Sequence, residues 1–505
     1  MNTFLNGMKN ETNYTLTENG ALTHKTTTSD LLDMFALGAS MRKRSDEDVL
    51  LMFQKAYREN PLYALKCLFY IRDVRGGQGE RRFFRVCMKW LANNESEVVI
   101  RNLKNVPEFG RWDDLYVFDG TVIEDEAYAL IKEQLALDVQ CKTPSLLAKW
   151  LKSENTSSVK SQYLGMKTRK HLGMTPRQYR KTLSILRKRI NVLERLMSAG
   201  EWDKIEFDKI PSRAGLIYKN AFARHDIERQ KAGARTYENF AKDETTTVNA
   251  KALYPYECVA KAMDLMGYGW YGYDHAIPMD NTDRLMINKY WANLADYFAG
   301  KTFNGMALVD TSGSMTGCEA SAPINVAISI GMYCADKAKG PFANHFITFE
   351  STPHFMEIEG VDFCDKVKRI SAAPWGGSTN VESAFDLMLQ TAIKNGCSQD
   401  EIPENLIIIS DMEFNSCVRC GSYGTVGNTL MEKIEKEWNA YGYKMPNLIF
   451  WNVDARQNNI PMTVKNGISF VSGMSPTLFE TILSGKTGYD LMMEKLNSER
   501  YACIK

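Results

Sequence analysis

The chain has 505 residues, too many for one hydrophobic core, which predicts two domains or more. With 44% hydrophobic and 24% charged residues it excludes wholesale disorder, and its net charge of +1 averages over unevenly charged segments. No apolar run approaches the ~20 residues of a membrane span. Residues 1–10 lack the apolar core of a signal peptide. A cytoplasmic protein that touches no membrane is therefore expected, with its 11 cysteines reduced.

Residues 1–29 are polar, rich in Thr and Asn, and read as a partly ordered arm. From Asp30 the pattern turns helical: Leu31, Leu32, Met34, Phe35 and Leu37 make an apolar face. Similar faces recur over residues 49–57, 62–71, 81–92, 124–138, 144–151, 176–199 and 254–266. The 62–71 helix is introduced by Asn60-Pro61, a cap and first-turn pair. Strand-like alternation is scarce up to residue 300, so residues 30–300 are expected to be a helical-repeat domain with degenerate repeats.

Basic residues concentrate inside this region. Between Lys160 and Arg195 they include Lys167, Arg169, Lys170, Arg177, Arg180 and Lys181, and Glu194 is the one acid. Residues 152–175 lack periodicity and read as a long exposed loop, followed by a helix with a basic outer face. A surface helix face normally mixes both signs. Basic density with Tyr163, His171 and Tyr179 nearby suits phosphate contacts and base stacking. A second basic stretch runs from Arg72 through Arg75, Gly76 and Gly77 to Arg81 and Arg82. It lacks the Gly-x-x-x-x-Gly-Lys-Ser/Thr pattern of a P-loop. Its glycines permit a tight turn that presents N–H groups and arginines to a phosphate. Equally, Arg72, Asp73 and Glu80 suit a salt-bridge network locking two helices. A third stretch holds Arg213, Lys219 and Arg224.

After Lys301 short apolar runs at 306–309, 345–349, 406–409, 448–452 and 468–471 alternate with helical segments. That grammar predicts a mostly parallel, doubly wound sheet over residues 301–505. Its first run ends in Asp310-Thr311-Ser312-Gly313-Ser314, and Ile407-Ile408-Ile409-Ser410-Asp411 ends another strand in Asp. Between them lies Gly376-Gly377-Ser378-Thr379. In such sheets ligands collect beyond the carboxyl ends of the strands. Carboxylate and hydroxyl oxygens are hard donors, so Asp310, Ser312, Ser314, Thr379 and Asp411 are candidate ligands for Mg2+ or Mn2+. Cys417 and Cys420 form one CxxC pair, and a zinc site needs two further ligands that the neighbouring sequence lacks.

The order Asp-x-Ser-x-Ser, Thr, strand-terminal Asp resembles the metal-ion-dependent adhesion site of von Willebrand factor A domains. A helical half followed by such a domain is similar to the TROVE-type (Ro autoantigen) proteins. The stretches Ile71–Gly77 with Gly79-Glu80-Arg81, Gly110-Arg111-Trp112-Asp113-Asp114, Pro211-Ser212-Arg213-Ala214, Ala221–Asp226, Trp375–Asn380, Ser410–Phe414 and Val471-Ser472-Gly473 resemble an uncharacterised TROVE-related family of cellular and viral proteins. The resemblance implies a ring of helical repeats closed by the A domain. It also implies basic residues that bind small structured RNA or single-stranded RNA ends. A non-enzymatic RNA-binding ring is the expected function. The alternative is a metal-dependent protein-interaction module that captures an acidic residue of a partner. A metal-dependent nuclease would want more carboxylates than Asp310, Asp411 and Glu413.

Overall fold

The computed structural model describes residue 8 and residues 12–267, 278–298, 302–317, 319–373, 375–416, 429–465, 467–482 and 486–505. Two short strands near the N-terminus, β1 (Tyr14–Leu16) and β2 (Leu22–His24), pair antiparallel. Six more form one sheet: β3 (Gly305–Asp310), β4 (His345–Phe349), β5 (His354–Glu357), β6 (Asn405–Ser410), β7 (Asn447–Asn452) and β8 (Ile468–Ser472). Their order is β5-β4-β3-β6-β7-β8, parallel throughout except for the antiparallel edge strand β5. β3 is buried along its whole length, and β6 is buried after its first residue. That is the burial of a sheet covered on both faces, as the continuous apolar runs require. β5 escaped the sequence reading because four residues that alternate half-buried and exposed leave too little pattern.

The described residues group into two units. The first unites residues 1–67 with 250–498, and the second unites 68–249 with 499–505. The change from helices to strands near residue 300 therefore falls inside the first unit. Within that unit, Trp291 of the helix Asn281–Ala292 stacks on Phe363 at 4.2 Å, and Arg284 Nε donates to Asp362 at 2.7 Å. Residues 12–29 pack within the same unit. β2 bridges to Ile460 through His24 N–H···O and the reciprocal bond, both 3.0 Å, and Thr17 Oγ1 donates to the Phe414 carbonyl at 2.6 Å.

The second unit is a succession of helices, among them Arg82–Asn94, Glu124–Gln140, Val159–His171, Pro176–Arg189 and Ser212–Arg224. Here the expected 152–175 loop is corrected. Ser158 caps the helix Val159–His171 by accepting from Ser161 N at 3.3 Å. Gly165 lets that helix approach the 152–154 backbone, where a Cβ would stand 3.0 Å from the Lys152 oxygen. Only Leu164, Gly165 and Thr168 are buried on it, too few for an apolar stripe, which is why periodicity missed it. The expected 176–199 helix is interrupted: Pro176–Arg189 begins on a Thr175/Gln178 capping box and ends before Asn191, whose φ is 51°. A second helix, Leu193–Ser198, follows.

The Gly-rich turn is tight. A Cβ on Gly77 would overlap the Tyr70 carbonyl oxygen and lie 2.9 Å from Asp73 Cβ. Gly77→Ala is expected to destabilise the helical unit by about 1–3 kcal/mol, the usual cost of forced overpacking. Thermal unfolding followed by circular dichroism reads this, and an unchanged midpoint would show that the turn yields. Among the described residues no helix is long and apolar enough to cross a membrane.

Candidate metal centre and basic faces

The strand order reverses at β3, which has β4 on one side and β6 on the other. Val309 pairs with Ile409, so the carboxyl ends of β3 and β6 lie side by side at the switch point of the sheet. Asp310 ends β3, and Asp411 follows β6. Ser312 N–H donates to Asp310 Oδ1 at 2.9 Å, which folds the loop back over the strand end, and Ser410 Oγ donates to Asp310 Oδ2. Ser312 Oγ then stands 3.2 Å from Ser314 Oγ and 3.1 Å from Thr379 Oγ1. The Thr379 loop is held by Gly313 N–H to the Gly377 carbonyl (3.2 Å) and Gly376 N–H to the Thr311 carbonyl (3.1 Å). Gly377 has φ 82°, and a Cβ there would overlap Glu350. All five candidate ligands are thus brought to one rim.

Asp310, Ser312, Thr379 and Asp411 are buried, while Ser314 is half-buried and Gly313 exposed, so the rim has a mouth at the 313–314 turn. Burial raises the pKa of Asp310, and the Asp411 carboxylate raises it further. Burial also raises Asp411, against which the Arg456 guanidinium pulls it down. Two carboxylates that cannot comfortably ionise together, beside three hydroxyls, make a donor set suited to a hard divalent cation. Among the described residues no group of three or more His, Cys, Asp or Glu side chains could hold a metal, so a cation here would depend on the hydroxyls. Cys417 and Cys420 lie outside the described residues.

Several side chains around the rim were not anticipated. Arg456 Nη2 donates to Asp411 Oδ2 at 3.0 Å, and its Nη1 reaches Glu18 Oε2 at 2.7 Å. Glu18 N–H donates to Glu413 Oε2 at 2.7 Å, and Asn19 Nδ2 lies 3.4 Å from Thr379 Oγ1. The turn between β1 and β2 therefore lines the rim. Only the adjacency of Ser410 and Glu413 to Asp411 was visible in sequence; Glu18, Asn19 and Arg456 are remote along the chain.

In the second unit the basic residues divide sharply. Arg72 is 1% exposed and donates to Asp114 Oδ2 through Nε (2.9 Å) and Nη2 (2.7 Å). Asp73 is fully buried and accepts from Arg500 and from the Tyr501 hydroxyl (3.0 Å). Arg72 and Asp73 thus sit in buried ion pairs, with Asp114 and Arg500 respectively and not with each other. Arg75 donates to the Glu108 carbonyl at 2.5 Å. Lys167 Nζ lies 2.6 Å from both Asp119 and Glu124, and Arg169 Nε lies 2.7 Å from Glu154. His171 stacks on Tyr128 at 4.1 Å beside Glu124 and Asp125. Arg72 is thus buried away from any phosphate, while Lys167, Arg169 and His171 are half-buried and engaged with acids of the fold. Arg224 is exposed and donates to Asn220 of its own helix at 3.1 Å, Arg213 is exposed, and Arg81 and Arg82 are half-buried. The side chains of Lys170, Arg177, Arg180 and Lys181 are exposed and make no hydrogen bond or ion pair among the described residues. Lys188 extends the last three along one face of the 176–189 helix at helical spacing.

Three comparisons bear on this chain. A family profile described as a domain of unknown function (DUF7788) matches residues 304–502. A second, also described as a domain of unknown function (DUF2828), matches residues 17–145 and 138–298. "Uncharacterized protein L728" of Acanthamoeba polyphaga mimivirus is 31% identical over 517 residues, covering 94% of this chain and 85% of that protein. The crystal structure of the Deinococcus radiodurans Ro (RSR) protein is similar at 13% identity and a TM-score of 0.35, covering 93% of this chain and 99% of that one. With more than half of its length matched by one profile and a full-length viral relative, the chain belongs to the DUF2828 family.

Proposed function

We propose that this is a non-enzymatic, cytoplasmic RNA-binding protein whose α/β domain is of the von Willebrand A type and holds a divalent cation. The observation that carries the RNA reading is the exposed row Arg177, Arg180, Lys181 and Lys188, which meets no acid in its own helix and no partner elsewhere among the described residues. Unneutralised positive charge at helical spacing attracts a phosphate backbone, and its affinity is salt-dependent because counterions are released. Single-stranded ends or small structured RNA are the ligands. In fluorescence anisotropy the logarithm of affinity should fall linearly with the logarithm of salt concentration. The triple variant R177A/R180A/K181A should reduce that slope by about 2, from ~0.7 per phosphate contact on a single strand. Its melting temperature should not move, because these side chains hold nothing in place. Absence of binding at low salt, or an unchanged slope in the variant, defeats the reading.

A second reading rests on the mouth at Gly313 and Ser314, through which the cation would take a carboxylate from a protein partner. Asp310→Ala then abolishes capture of that partner in the presence of Mg2+, and identical capture by variant and native protein excludes it.

A further inference from the structure

Around Asp113 and Asp114 the second unit gathers more guanidinium groups than its carboxylates use. Arg72 and Arg85 are bound to these two residues, with Arg85 Nε 2.7 Å from Asp114 Oδ1 and its Nη2 3.1 Å from Asp113 Oδ2. Arg81 lies one helical turn before Arg85, its carbonyl accepting from Arg85 N–H at 3.0 Å. Arg111 donates its backbone N–H to Asp114 Oδ2 at 2.9 Å. Neither the Arg81 nor the Arg111 guanidinium makes a hydrogen bond or ion pair among the described residues, yet both side chains are half-buried. Burial pushes the Arg111 pKa down to about 10, helped first by Arg81 and then by Arg72, with Arg213 adding to it and Asp113 opposing. Burial is also the main cause that lowers Arg81. Half-buried like charges with unmet N–H donors are costly unless an anion completes the cluster. The Arg111 guanidinium lies 4.6 Å from the Trp150 ring centre, a contact that leaves its donors unsatisfied.

Arg111 and Trp150 also line an open cavity of about 630 Å3, whose other walls include Trp112, Leu130, Leu137 and Leu146. Its two acids, Glu108 and Glu133, stand beside Arg75 (3.5 Å) and Lys104 (3.7 Å). A cavity of this size, with aromatic and aliphatic walls and an arginine whose acidic neighbours are paired elsewhere, has the form of a small-molecule site.

We propose that this cavity binds a nucleotide, its phosphate on Arg111, with the Arg81 charge behind it, and its base against the tryptophan walls. The inference goes beyond the RNA reading, because it uses none of the residues of the 176–189 row. The ligand is either a free mononucleotide or the phosphorylated end of an RNA chain, which present the same chemistry. The test is isothermal titration of the full chain with uridine 5′-monophosphate, uridine and inorganic phosphate, then with 5′-phosphorylated and 5′-hydroxyl oligoribonucleotides. Uridine 5′-monophosphate should bind about tenfold or more tightly than uridine, Arg111→Gln should lose about tenfold or more, as for hydrogen bonds to a charged group, and Arg81→Gln should lose a smaller factor through its charge alone. Lys181→Ala should bind the mononucleotide unchanged. A mononucleotide that binds as well as the phosphorylated oligonucleotide identifies a free nucleotide as the ligand, and preference for the phosphorylated oligonucleotide identifies the RNA end; both support the site. No binding of either phosphate-bearing ligand at millimolar concentration overturns it. So does inorganic phosphate binding as tightly as the nucleotide, or binding indifferent to both arginine variants. Because Arg81 holds no neighbour, its variant remains a folded test if Arg111→Gln does not fold. Loss of oligonucleotide binding in R177A/R180A/K181A with mononucleotide binding intact separates this site from the basic row.

Discussion

Asp114→Ala lowers the stability of the helical unit by about 3–5 kcal/mol, the range for breaking a buried ion pair by removing one partner. Asp114 is fully buried and accepts from Arg72 Nε and Nη2, from Arg85 Nε and from the Arg111 amide. Without it the Arg72 guanidinium, 1% exposed, keeps its charge in the interior with no counter-ion. Gly110 is part of the same design, since a Cβ there would overlap Asp114 Oδ2 and stand 3.0 Å from Arg72 Nε. Urea unfolding monitored by circular dichroism measures the loss. The double variant Arg72→Met/Asp114→Leu should be less damaged than Asp114→Ala alone, because it removes both charges. The pH dependence follows from the same contacts. Burial alone would raise the Asp114 pKa, but Arg72 and Arg85 outweigh it and hold the carboxyl below its ordinary value. A carboxyl depressed in the folded state stabilises fully above its unfolded pKa of about 3.9, and that contribution is lost as pH falls through the folded value. Native protein should therefore lose stability in acid faster than the double variant. Equal acid sensitivity of the two would show that the pair is not the source.

The same network marks the limit of what the sequence displays. The clustering of Asp310, Ser312, Ser314, Thr379 and Asp411 was legible because each of its parts is local: a buried strand reads as an apolar run, and Asp310 and Asp411 stand where β3 and β6 end. Their adjacency needed only the order of strands in a doubly wound sheet. The basic segment was legible as charge but not as surface. Counting within 160–195 finds one acid, yet the partners of Lys167 are Asp119 and Glu124, and that of Arg169 is Glu154. One-sidedness in a window of sequence is therefore not one-sidedness in space, and only residues facing away from neighbouring helices, such as Arg177 and Lys181, keep it. The 159–171 helix was hidden for a related reason: it packs through Gly165 against backbone, leaving no apolar period to find. Arg456, Glu18 and Asn19 at the rim carry no local signal, because their position depends on chain segments hundreds of residues apart.

The rim carries the second large expectation. Asp310 and Asp411 are both buried on adjacent strand ends, and Arg456 is the one cation bonded to either among the described residues. In chelator, Asp310→Asn should be at least as stable as native protein. It removes one of two mutually repelling carboxylates, and its amide oxygen can still accept from Ser312 N–H. In Mn2+ at about a hundred times the dissociation constant, native protein should gain about 2.7 kcal/mol by mass action, because the cation binds the folded rim alone. The variant should gain little, having lost a charged donor that hydroxyls cannot replace. The order of stability then reverses between chelator and metal, a crossing that a merely structural Asp310 cannot produce. Thermal melts of both proteins in both buffers measure it, and a native midpoint indifferent to Mg2+ and Mn2+ removes the cation from the rim. Arg456 makes the crossing sharper, since a cation seated beside Asp411 competes with its guanidinium. Arg456→Gln should therefore bind metal more tightly than native protein, while Asp310→Asn binds it less.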